Sequence, residues 1–80
     1  MDIKNILELV HTNKWNDVPI VSMQLRIAVN SLIAQLDGHL SRMTVVEFIS
    51  IMQKPENIGI KKILFQNSDE QIAKAICAAN

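Results

Sequence analysis

Eighty residues, 49% of them hydrophobic and with a formal net charge of zero, make one small domain. Eight basic and eight acidic side chains cancel and are scattered, which leaves no basic stripe of the kind that nonspecific nucleic-acid binding uses. A chain this short hides only roughly 60–65% of the surface that it exposes when unfolded, so twelve isoleucines are a surplus for which self-association is the usual outlet.

Asp2 is placed to cap a first helix from Ile3 to about His11, with Ile3, Ile6, Leu7 and Val10 at helical spacing. Thr12 to Asp17 is turn-rich and contains Trp15, the one tryptophan, which closes an end of the core or anchors a partner.

Ile20 to Leu36 is the stretch around which the rest is organised. Eleven of its seventeen residues are apolar, and its one formal charge is Arg26. Pro19 suits its first turn, Ser22 offers a later cap, and Asp37-Gly38 ends it. Met23 and Ile27 share one side, while Leu25, Ala28, Val29, Leu32, Ile33 and Leu36 cover much of the rest. A helix apolar over so much of its circumference packs on several sides. Either it is the core of its own domain, or one side packs on a second copy of the chain. It is too polar for a membrane span, which takes about 20 predominantly apolar residues.

Thr44-Val45-Val46-Glu47 is a capping box, with Met43 and Phe48 placed as a hydrophobic staple. It starts a third helix, Val45 to about Gln53, whose inner face is expected to be Val45, Phe48, Ile49 and Met52. Val46 and Ile51 fall on other sides. Pro55 stops this helix, and Pro55 to Gly59 reads as a cluster of breakers. Ile60 to Gln66 fits a short helix or a strand; helix is favoured because no second strand candidate exists to pair with it. Ser68-Asp69-Glu70-Gln71 is a second capping box, opening a last helix from Asp69 to about Ala78. Ile72, Ala73, Ile76 and Cys77 form its buried stripe.

Little in the chain suggests chemistry. His11 and His39 are not in metal-ligand spacing, and adding Cys77 and Asp37 makes a site only on paper. Cys77 has no evident base beside it, and Gly38 and Gly59 stand alone, so neither a nucleophile nor a phosphate-cradling loop is indicated. No enzyme and no cofactor are expected.

The span from Leu25 to Gln53, with AVNSLI, a break at Gly38 and then HLSRMTVVEFISIMQ, resembles the core of the YmgB/AriR-type small helical regulators. That resemblance implies a helical dimer with a regulatory role in biofilm formation and acid stress. The acidic residue that the family tends to carry after its second helix is replaced here by Gln53-Lys54, and no functional residue is carried over.

The sequence thus predicts an all-α bundle of four to five helices around a central apolar helix, dimeric, acting as a cytoplasmic protein–protein interaction module. The single cysteine fits a reducing compartment, no secretory signal is evident, and the Ile, Asn and Lys bias suits a phage or plasmid gene. Candidate partner-binding residues are Trp15, Met23, Ile27, Val46 and Ile51. The alternative is a helix-turn-helix-like DNA-binding segment over residues 45–66, reading with Lys61, Lys62 and Gln66, while Arg42, Asn57 and Ser68 touch phosphates.

Overall fold

Four short polar side chains start helices by accepting backbone N–H groups that the first turn leaves unpaired. In the computed structural model, which describes residues 1–12, 21–36 and 43–79, Ser22 accepts from the Leu25 N–H at 3.1 Å, Thr44 from Glu47 at 3.2 Å and Ser68 from Gln71 at 3.2 Å. Asp2 does the same for Asn5 at 3.1 Å. The resulting helices are α1 (Ile3–Thr12), α2 (Met23–Ala34), α3 (Val45–Gln53), α4 (Ile58–Phe65) and α5 (Asp69–Ala78), and no strand occurs among the described residues. The chain is an all-α bundle. Trp15, Pro19, Ile20, Asp37, Gly38, His39 and Arg42 lie outside the described residues.

The central helix is capped at the later position, Ser22. The segment from Ile60 is a helix, as favoured, but it begins earlier. Pro55–Asn57 forms a 3-10 turn and α4 opens at Ile58, so Gly59 sits inside the first turn of a helix and does not break one. Proline causes this: it holds Lys54 extended (ψ 132°), which ends α3, and then supplies a φ suited to a new helical turn.

Helix α5 packs against α1 and α2, α2 also packs on α4, and α3 bridges α1 and α4. Alanines at 73 and 75 let α5 approach its neighbours closely, and Ile72 and Ile76 are sealed from solvent. Phe48, Ile6, Leu25, Leu32 and Leu64 complete the centre of the core. The staple residues Met43 and Phe48 are both buried. The radius of gyration, 11.4 Å, matches the roughly 12 Å expected for one closed body of this length.

One face was read wrongly from the sequence. Helix α3 turns Phe48, Ile51 and Met52 inward and leaves Val45 and Ile49 partly exposed. In nine residues, 45-48-49-52 and 48-51-52 are both helical stripes; the positions of α1 and α4 select the second. Cys77 is half-buried, its thiol facing the Val10 carbonyl oxygen at 3.9 Å.

Candidate functional site

Helix α2 divides its apolar residues between two sides. Leu25, Ala28, Val29, Leu32 and Ile33 are buried, whereas Met23 is 65% and Ile27 58% exposed. These two are one turn apart on the same outer side, with Arg26 and Asn30 exposed alongside. Helix α3 adds a second outward apolar group: Val46, 76% exposed, with Val45 and Ile49 partly so.

Val46 also borders a shallow cleft of about 300 Å³ between the end of α2 and α3, lined by Gln35, Leu36, Glu47, Ser50, Ile51 and Lys54. Ile51 is part of the core and reaches this cleft only as a buried lining residue, so it does not belong to an exposed face. Of the candidate partner-binding residues, Met23, Ile27 and Val46 are outward, Ile51 is inward, and Trp15 lies outside the described residues.

The DNA-reading candidates Lys61, Lys62 and Gln66 are all exposed on or just after α4. Their expected phosphate-contacting neighbour Asn57 is not available. It is buried, with its side-chain amide exchanging two hydrogen bonds with Gln35, each 3.0 Å, and donating a third to the Ile51 carbonyl at 2.7 Å. Ser68 is occupied as the cap of α5.

The polar groups elsewhere are structural in character. The N-termini of α1 and α5 are latched through Asp69, which accepts from the Asp2 N–H at 3.2 Å and from the Asn5 side-chain amide at 3.1 Å. The Asn5 hydrogen bond is the main reason that the Asp69 carboxyl titrates below its usual range; the small burial cost opposes it, and the Asp2 N–H and the N-terminal ammonium add to it. A small groove of about 200 Å³ lies beside Arg26 and Asn30 with Ala75, Ala78 and Ala79 opposite. There Arg26 stands near the carbonyl end of α5, where a cation is favourable. Among the described residues no three His, Cys, Asp or Glu side chains gather to hold a metal, and no helix is long and apolar enough to cross a membrane.

Sequence reasoning missed two exposed residues, Ile58 and Phe65, because starting the helix at Ile60 hid their spacing of seven. Comparison of the chain with protein families, with curated proteins and with solved structures finds no match.

Proposed function

We propose that this chain is a small non-enzymatic interaction module that forms a homodimer through the outer apolar faces of α2 and α3 and serves as a cytoplasmic regulator, adaptor or inhibitor, of phage or plasmid origin. One observation carries this: Met23, Ile27 and Val46 are each more than half exposed in a chain that already has a closed core. Single exposed aliphatics are ordinary, but Met23 and Ile27 lie one turn apart on one side of α2, and Val46 stands with the partly exposed Val45 and Ile49 on α3. A standard interface takes about 800 Å² from each partner, a modest fraction of the 5082 Å² available here. Covering Met23, Ile27 and Val46 in this way would remove the most exposed aliphatic surface of α2 and α3. The mechanism is recognition by shape and apolar burial, with no bond made or broken. Dimerisation is also what the resemblance to YmgB/AriR-type regulators implies.

Methyl NMR tests the assignment of the face. The Met23, Ile27 and Val46 methyl resonances are expected to shift with protein concentration, while those of Ile6 and Ile72 stay fixed. Concentration-independent shifts at all three outward positions would overturn it.

A further inference from the structure

Helix α4 presents a second surface, of different chemistry. Ile58, Lys61, Lys62 and Phe65 are spaced at three, four and seven, so that they fall within about 100° of arc on one side of the helix. Leu64, with Ile60 and Ile63, occupies the opposite side against the core. All four outer residues are exposed, Ile58 by 60% and Phe65 by 56%. The stripe is therefore apolar at both ends, about 10 Å apart, and doubly cationic between them. Neither lysine has an ion-pair partner among the described residues. The Lys61 ammonium rests 5.9 Å from the centroid of the Phe65 ring, a contact that holds it over the helix surface without neutralising it.

We infer that this stripe docks an acidic amphipathic helix of another protein, one with two carboxylates a turn apart between apolar residues spaced at seven. Charge complementarity decides for an acidic occupant, since two unpaired ammonium groups between apolar anchors are matched by carboxylates between apolar anchors. A second copy of this chain does not supply that pattern: among the described residues no helix carries two exposed carboxylates three or four positions apart, and Glu70 is already paired with Lys74 at 3.1 Å. Nucleic acid is the poorer match. Two lysines neutralise few phosphates, and the exposed Ile58 and Phe65 offer nothing to a phosphate backbone. The surface lies on a different helix from the dimer faces of α2 and α3, and the two proposals fail independently.

The test titrates the full chain, by amide and methyl NMR, with a stapled helical peptide bearing two glutamates one turn apart between two leucines spaced at seven. A single-stranded oligothymidylate is the comparison. The peptide is expected to shift Ile58, Lys61, Lys62 and Phe65. Lys61→Glu/Lys62→Glu, with unchanged far-UV circular dichroism, should weaken it roughly tenfold or more. The same variant should prefer a peptide with lysines in place of the glutamates. No shift on α4, equal affinity of the variant for both peptides, or tighter binding of the oligothymidylate than of the peptide would each overturn the inference.

Discussion

Asn57 and Gln35 form a closed pair of side-chain amides, each donating to the other at 3.0 Å across 22 residues of chain. Gln35 is the C-cap of α2 and Asn57 the residue before α4, and the third bond of Asn57, to the Ile51 carbonyl, adds the last turn of α3. One amide thus ties three helix ends. An asparagine in front of a helix ordinarily caps it. Here no side-chain cap bond forms, and the side chain is turned into the protein, where it is only 4% exposed.

Removing this amide has a cost that depends on what replaces it. Asn57→Ala should destabilise by about 1–2 kcal/mol, since Gln35 is exposed enough to regain water. Asn57→Asp should be worse at neutral pH, because a carboxylate would face the Ile51 carbonyl oxygen in a buried position. Its folded-state pKa would be raised above the unfolded value of about 3.9. The variant is therefore least penalised below that pH and loses stability above it, as pH rises through the raised folded-state pKa. Urea unfolding of both variants at about pH 4 and pH 7 checks the order and its change.

Gly59 stands in the first turn of α4, and a methyl group there would meet no atom within 4 Å. Gly59→Ala should stabilise the protein by about 0.4–1 kcal/mol, by narrowing the unfolded ensemble and improving helix propensity. An unchanged or lowered midpoint of thermal unfolding would show that α4 does not start at Ile58.

The Asp69 latch predicts a specific acid sensitivity. Its carboxyl titrates below the ordinary value, chiefly through the Asn5 amide. A group depressed on folding contributes stability that is present above its unfolded pKa and lost as pH falls through the folded pKa. Asn5→Ala should therefore flatten the loss of stability as pH falls below about 4, read as a smaller shift of the urea midpoint than in the wild type. Equal acid slopes in the two proteins would mean that the latch is not formed in solution.

Where a few adjacent residues decide the structure, it was legible in the sequence. Thr44 and Ser68 marked two helix starts by local hydrogen bonding alone, and the apolar run of α2 announced itself by length. What was not legible depended on neighbours distant in the chain. The inward face of α3 is chosen by α1 and α4, so Ile51 and Ile49 exchanged places. Asn57 looked like a surface polar residue because its partner Gln35 is far away in sequence. The outer stripe of α4 went unseen because Pro55 and Gly59 resemble breakers, although the proline initiates the turn that leads into the helix.

The mass of the protein in solution bears most directly on the proposal that the outward side chains of α2 and α3 serve to bind. Sedimentation equilibrium from micromolar to about millimolar concentration should show the mass rise from the 9.0 kDa of one chain toward twice that value, and Met23→Lys/Ile27→Lys should hold the single-chain mass without loss of helix. A wild-type protein that stays at 9.0 kDa up to about millimolar concentration, where even weak pairs associate, would contradict it.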